Sequence, residues 1–198
     1  MKEFWNQRYA GEEYAYGRDA NNFFSHWIDK LPAGRLFLPG EGEGRNAVFA
    51  ASKGWNVTAF DQSETAKEKA LNLATENEVS IEYKTGSILD VTVEKEHYDL
   101  IALVYFHLLP EARERYHAYL MSGLKKGGVI LMEVFNKDQL GNESGGPKDL
   151  DLLYDLDDII NDFKGLEVLY AAQEQVLLNE GAYHQGMAEV IRFAGKKV

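Results

Sequence analysis

The segment Leu36-Phe-Leu-Pro-Gly-Glu-Gly-Glu-Gly-Arg-Asn46 restricts the possible folds more than any other stretch of the chain. A short apolar run stops at Pro39, glycines follow at positions 40, 42 and 44, and the small-residue segment from Ala47 to Lys53 reads as a helix capped by Gly54. The expectation is strand, glycine turn, helix. Gly40, Gly42 and Gly44 permit backbone conformations that a side chain forbids, and they let backbone amides approach whatever lies above the strand end. A nucleotide-like ligand fits such a turn. Alternate glycines also build an ordinary tight turn, so the spacing alone does not decide.

A second apolar run, Trp55 to Phe60, ends in Asp61, 21 positions beyond Gly40. A carboxylate at the end of a second parallel strand, roughly 20 residues after a glycine-rich turn, is placed to accept both hydroxyls of a ribose. Asp61 can also cap the helix that starts near Ser63, and the two roles are compatible. Ala66 to Asn77 then reads as a helix and Ser80 to Lys84 as a third strand. Leu100 to Phe106 is a nearly continuous apolar run, as expected of a central parallel strand covered on both faces. It ends in Tyr105-Phe106-His107, at the edge where open α/β sheets bind ligands. Pro110 opens a further helix that stops at Lys125-Lys-Gly-Gly128, and Val129 to Val134 is a fifth strand. After the helix marked by Leu156, Ile159, Ile160 and Phe163, two long β runs, Leu166 to Leu178 and Tyr183 to Phe193, flank a polar turn and predict a hairpin.

Aromatic side chains crowd the N-terminus: Phe4, Trp5, Tyr9, Tyr14 and Tyr16, with Arg8 among them. They read either as an arm packed on the domain or as a lid that closes over a ligand, excludes water and stacks on flat groups. Phe23, Phe24, Trp27, Ile28 and Leu31 recur at helical spacing before Pro32, with His26 off that stripe at the surface. One domain is expected over residues 1–198: arm and helix 1–31, cofactor-binding core 32–135, and a substrate-side loop, helix and hairpin 136–198. Within the last part, Asn136 to Asp149 is an aperiodic loop of a length usually associated with function or mobility.

Composition removes several chemistries. With 21 Lys+Arg against 32 Asp+Glu the net charge is -11, which repels a phosphate backbone, so nucleic acid is not expected as a partner. The absence of cysteine excludes a thiolate nucleophile, Cys-ligated zinc and iron–sulfur clusters, and no metal site is expected. No signal-peptide core precedes the aromatics and no apolar run approaches ~18 residues, so a soluble, cytoplasmic protein is expected, monomeric or weakly dimeric.

Two nucleotide chemistries share the first half of this pattern. The dinucleotide fingerprint needs its third glycine three positions after the second, where this chain has Arg45. The chain also lacks a second mononucleotide half and ends in a hairpin. Both features favour S-adenosylmethionine over a nicotinamide cofactor. The set Gly40-Glu-Gly-Glu-Gly-Arg-Asn-Ala-Val48, Val57-Thr-Ala-Phe-Asp-Gln-Ser63, Tyr98-Asp-Leu-Ile101, Leu124-Lys-Lys-Gly-Gly-Val-Ile130 and the terminal hairpin resembles a class I S-adenosylmethionine-dependent methyltransferase over nearly the whole chain. With Phe4-Trp-Asn-Gln-Arg-Tyr9 and Tyr14-Ala-Tyr-Gly17 it is similar to the small single-domain branch of tellurite-resistance and thiopurine methyltransferases.

The resemblance implies an α/β, Rossmann-like, doubly wound and mostly parallel seven-stranded sheet that ends in an antiparallel hairpin, with helices on both faces. It implies that Gly40, Glu41, Gly42, Gly44 and Asn46 lie under the methionine part of the cofactor, that Asp61 holds the ribose, and that Gln62 and Ser63 sit beside the adenine. Two positions depart from the family pattern. Ser87, followed by Ile88, stands where relatives often carry an acid for the adenine amino group, and Leu38 stands where many carry an acid for the methionine amino group. Tyr105 is the expected substitute contact, through its carbonyl or ring.

A sulfonium already carries an activated methyl group, so transfer asks the protein mainly for alignment and a dry site. A general base is needed only where the acceptor must lose a proton. His107 is the candidate, with His184 second, against the plainer reading that His107 packs at a strand end. Trp5, Arg8, Tyr14, Tyr16, Phe106 and His184 are the expected substrate and lid residues. Val104-Tyr-Phe-His-Leu-Leu-Pro110 lacks the Asn/Asp-Pro-Pro-aromatic motif of amino-directed relatives, which leaves a small-molecule acceptor: sulfur, selenium, tellurium, or an aromatic amine or hydroxyl. The alternatives are a protein that binds S-adenosylmethionine or S-adenosylhomocysteine without turnover and, last, a nicotinamide-dependent oxidoreductase.

Overall fold

The computed structural model describes residues 2–87 and 91–198, so the expected contact at Ile88 lies outside the described residues. Seven strands are present: β1 Arg35–Pro39, β2 Asn56–Asp61, β3 Glu82–Thr85, β4 Tyr98–Val104, β5 Leu124–Phe135, β6 Leu166–Glu180 and β7 His184–Lys197. They form one mixed sheet in the order β3-β2-β1-β4-β5-β7-β6, the Rossmann-like arrangement with a terminal antiparallel hairpin. The helices are α1 Lys2–Arg8, α2 Asn22–Lys30, α3 Arg45–Ser52, α4 Glu64–Glu76, α5 Pro110–Gly123 and α6 Leu156–Asp162. The chain divides into two compact units, Met1–Thr92 with Glu180–Tyr183 and Val93–Asn179 with His184–Val198. Among the described residues no helix is long and apolar enough to cross a membrane.

In the first unit β1 runs parallel to β2, and β2 parallel to β3, with Pro39 opposite Phe60 and Asp61 opposite Thr85. The register brings the glycine turn and the Asp61 carboxylate to one edge. Leu36, Phe37, Leu38, Val57 and Ala59 are buried, as expected of parallel strands covered on both faces. α3 is built from small residues because it packs closely. A Cβ on Gly44 would lie 2.6 Å from the Ala70 Cβ of α4.

In the second unit β4 runs parallel to β5, and β5 antiparallel to β7. β5 begins earlier than the sequence suggests. Tyr98 pairs with Leu124 and Leu100 with Val129, so Lys125 to Gly128 bulge out of the ladder. Gly127, at φ 81°, supplies the left-handed residue this requires, and Lys125 Nζ bonds both Asp99 carboxylate oxygens at 2.8 Å. The expected long loop after β5 is ordered around Gln139, which is 1 % exposed. Gln139 donates to Ser144 Oγ and the Gly145 carbonyl and accepts from Asn142 Nδ2 and the Glu189 N–H.

Candidate functional site

Gly40, Gly42 and Gly44 all adopt positive φ, at 70°, 65° and 91°, so the turn after β1 exists only because these residues lack a Cβ. The Phe60 carbonyl of β2 accepts the Gly40 and Glu41 N–H groups at 2.7 and 3.1 Å. Asp61 then ties the turn from the side: its Oδ2 accepts the Gly42 N–H at 3.1 Å and its Oδ1 the Ser63 N–H at 2.9 Å. Burial raises the Asp61 carboxyl above the ordinary range, opposed by the N–H groups of Ser63, Gly42 and Gln62. Tyr83 of β3 donates its hydroxyl to the Gly42 carbonyl at 2.5 Å.

Glu41 is half-buried in the turn, and its Oε1 accepts the Ala47 N–H of α3 at 2.8 Å. It caps a helix whose own N-cap, Gly44, has no side chain to do so. Burial pushes the Glu41 carboxyl up to about 7, against the Ala47 N–H, Arg45 and Asn46. Asn46 is buried and accepts the Asn21 N–H at 2.9 Å. Ser63 is fully buried as the N-cap of α4, accepting the Ala66 N–H and donating to Asn6. These contacts make Asn46 and Ser63 framework residues. Gln62 is half-buried beside Asp61, and Ser87 is exposed after β3.

The aromatic arm is docked. Trp5 stacks on Tyr9 with centroids 5.6 Å apart, Tyr9 meets Tyr16 edge to face at 6.4 Å, and Tyr16 lies 6.0 Å from Tyr183. Arg8 donates to Tyr16 Oη at 3.0 Å and sits 3.9 Å from the Tyr183 ring centroid. Tyr14 donates to the Lys69 carbonyl of α4 at 3.1 Å. Tyr9, missing from the expected site residues, is the most buried of the arm's aromatics: its hydroxyl lies 2.9 Å from where a Cβ on Gly42 would stand, and burial followed by the Asp61 charge holds its phenol neutral. Glu43 and Arg45 were likewise not expected as anchors. Glu43 accepts the Ala15 N–H at 2.7 Å and Lys69 Nζ at 2.6 Å, while Arg45 donates to the carbonyls of Tyr16 and Asp19 and to Glu180 Oε2 at 3.0 Å. The only sequence signal for these contacts was that charged residues stand inside a glycine turn.

In the second unit Tyr105 occupies the left-handed region at φ 52°, an uncommon backbone state for a non-glycine residue. Its hydroxyl donates to Glu133 Oε1 at 2.6 Å and its ring stacks on Phe135 at 4.7 Å, so the ring is committed to β5. Glu133, 1 % exposed, is held on its other oxygen by Arg192 Nε at 2.6 Å. His107, the candidate general base, has both ring nitrogens engaged within the protein. Its Nδ1 is 2.6 Å from the Leu152 carbonyl, which fixes the proton there, and its Nε2 accepts the Phe135 N–H at 3.4 Å. No lone pair remains for a substrate, and burial holds the ring neutral with a pKa down to about 4. His184 is buried edge-on to Tyr105 and Phe135, and Phe106 is half-buried against Tyr116. Among the described residues no group of three or more His, Asp or Glu side chains is placed to hold a metal ion.

Residues 39–128 match the family described as a methyltransferase domain. No curated protein sequence matches the chain. Three similar solved structures fit the same backbone. One comes from work on the conversion of a disulfide bond into a thioacetal group during echinomycin biosynthesis (TM-score 0.80, 15% identity, covering 100% of this chain and 91% of that one). Another is TehB from Haemophilus influenzae (0.77, 13%, 100% and 67%). A third is the Burkholderia thailandensis 1,6-didemethyltoxoflavin-N1-methyltransferase with bound 1,6-didemethyltoxoflavin and S-adenosylhomocysteine (0.66, 16%, 89% and 77%).

Proposed function

We propose that this chain is an S-adenosylmethionine-dependent methyltransferase and that it transfers the methyl group to a small molecule through a sulfur, selenium, tellurium or aromatic nitrogen or oxygen acceptor. The observation that carries the reading is the buried Asp61 carboxylate beside the positive-φ glycine turn. Asp61 makes no ion pair among the described residues, and a carboxylate has about four lone-pair directions, so room remains for two ribose hydroxyls. The positive φ values of Gly40, Gly42 and Gly44 keep the turn tight beside that carboxylate.

Asp61, Gln62 and the turn would hold the cofactor, which supplies a methyl group on a sulfonium leaving group. The residues of the chain then align and exclude water. Trp5, Tyr9 and Tyr16, packed ring on ring, would close the first unit's site, and burial keeps the Tyr9 and Tyr16 phenols neutral. Because His107 has both nitrogens engaged, an acceptor that already presents a lone pair fits better than one that must be deprotonated. The net charge of -11 argues for an uncharged or soft acceptor over nucleic acid. The similar structures add weight, since one carries bound 1,6-didemethyltoxoflavin and S-adenosylhomocysteine and another comes from work on the conversion of a disulfide bond into a thioacetal group.

The test is calorimetric titration with S-adenosylhomocysteine, followed by thiols, selenite, tellurite and aromatic amines supplied with S-adenosylmethionine and products read by mass. A product heavier by one CH₂ is expected from at least one acceptor. Binding without any methylated product would favour a cofactor-binding protein without turnover.

A further inference from the structure

Arg18, Arg45, Arg113 and Arg192 each pair with a carboxylate. Arg8, the last residue of α1, does not. It is half-buried, donates from Nη1 to Tyr16 Oη at 3.0 Å, and lies 3.9 Å from the Tyr183 ring centroid and 5.1 Å from that of Phe4. Among the described residues no carboxylate stands at ion-pair distance from it. The carboxylates around the arm are committed elsewhere. Glu43 takes Lys69 Nζ and the Ala15 N–H, Glu180 takes Arg45, and Asp61 takes the N–H groups of Gly42 and Ser63.

A guanidinium presents five N–H donors in a planar fork, and the Tyr16 hydroxyl occupies one of them. Ring faces attract the cation but leave the in-plane donors of the fork without an acceptor. Burial raises the Tyr16 phenol against the pull of Arg8, so Tyr16 stays neutral and does not balance the charge. The surroundings are apolar and open to solvent, with Phe4 54% and Tyr183 46% exposed. A fork that matches a carboxylate, rimmed by exposed rings, suits an anion with a flat apolar body. We propose that Arg8, with the Tyr16 hydroxyl and the rings of Phe4 and Tyr183, is a subsite for one carboxylate group carried by an aromatic methyl acceptor. This inference rests on the methyl-transfer reading given above and narrows its acceptor.

The place of Arg8 in the first unit supports that role. Tyr9, the next residue, has its hydroxyl 2.9 Å from where a Cβ on Gly42 would stand, and its phenol lies in the field of both Asp61 and Arg8. The subsite thus adjoins the turn proposed to hold the cofactor, one tyrosine away. The net charge of -11 repels a polyanion, but a single negative group in contact with a half-buried guanidinium is attracted at short range while the distant charges are screened. A soft nucleophile that carries one carboxylate meets both conditions.

The experiment titrates benzoate and its neutral counterpart benzamide into wild type, Arg8→Gln and Arg8→Lys, with and without S-adenosylhomocysteine, and reads binding by ligand-observed NMR. Wild type is expected to bind benzoate about tenfold or more tightly than benzamide, the worth of a charge-assisted bond, with the preference shrinking as NaCl rises from about 0.05 to 0.5 M. Arg8→Gln is expected to lose the preference. Arg8→Lys, which keeps the charge without the fork, is expected to keep part of it. Should Arg8→Gln unfold, seen as a lost thermal transition, the wild-type preference and its reduction in Arg8→Lys decide alone. Equal binding of benzoate and benzamide by wild type, or a folded Arg8→Gln that keeps the preference, overturns the proposal and leaves the methyl-transfer reading standing. So does a loss of S-adenosylhomocysteine affinity in Arg8→Gln that 5′-methylthioadenosine, which lacks the amino-acid end, does not share, because the guanidinium would then serve the cofactor's own carboxylate. Failure of wild type to bind S-adenosylhomocysteine overturns the methyl-transfer reading and the acceptor role with it.

Discussion

Asp61 Oδ2 accepts the Gly42 N–H at 3.1 Å, so the carboxylate that ends β2 also fixes the turn that ends β1. On the function proposed above, cofactor affinity and turn stability share one side chain. In Asp61→Asn the shape is kept, but the amide nitrogen faces one of two N–H donors, Gly42 or Ser63, and leaves it without an acceptor. The expected loss is about 1–3 kcal/mol of stability, read as a lowered urea midpoint, together with at least ~1 kcal/mol of S-adenosylhomocysteine affinity. A variant with the wild-type midpoint would show that the turn holds itself.

Gly44 tests close packing in the same turn. At φ 91° an alanine there is strained, and its Cβ would fall 2.6 Å from Ala70 Cβ and 2.8 Å from Ala70 Cα. Gly44→Ala is expected to lose about 2–5 kcal/mol, combining left-handed strain with overpacking. Gly127→Ala, at φ 81° with open space around it, isolates the strain and should lose about 1–2 kcal/mol. Thermal unfolding of the pair separates the two causes, and equal losses would remove packing against α4 as an explanation.

The sequence made the turn, Asp61 and the terminal hairpin legible because each depends on local rules: alternate glycines, a carboxylate at a set distance, and alternating β runs around a polar turn. What escaped it depends on partners far along the chain. Nothing near Arg45 announces Glu180, 135 positions away, and nothing near Glu43 announces Ala15 and Lys69. His107 lies just beyond the strand, where expected, yet the partners of its ring nitrogens, the Leu152 carbonyl and the Phe135 N–H, stand far along the chain. Asn136 to Asp149 read only as a functional or mobile loop because a lone Gln carries no periodicity, although Gln139 is the buried residue that orders it.

The Arg45 and Glu180 side chains are 8% and 13% exposed and pair at 3.0 Å, with the same guanidinium donating to the carbonyls of Tyr16 and Asp19. Removing the cation strands a buried carboxylate and unfastens the arm. Arg45→Ala is expected to lose about 3 kcal/mol or more, and the Arg45→Ala/Glu180→Ala double variant less than the sum of the singles. Limited proteolysis should cut within the arm faster in Arg45→Ala than in wild type. Additive losses with unchanged proteolysis would mean that the pair does not hold the arm.

His107 and Glu41 pull stability in opposite directions as pH falls. The folded His107 takes a proton only near pH 4 against an ordinary value of 6.5, so the unfolded chain binds that proton first and stability is lost from pH 6.5 downward. Over that window the loss is about 3 kcal/mol. Glu41 runs the other way: its folded value of about 7 exceeds the ordinary 4.5, the folded protein binds the proton first, and stability is gained as pH falls from about 7 to 4.5. His117, lowered by burial, adds to the loss. Wild type should therefore change little between neutral pH and pH ~4.5. His107→Gln should become relatively more stable on acidification, its deficit against wild type shrinking by about 3 kcal/mol, and Glu41→Gln should lose stability steeply. Urea unfolding of the three proteins across that range measures both slopes, and a deficit of His107→Gln that stays constant with pH would show that this ring titrates alike in the folded and unfolded chain.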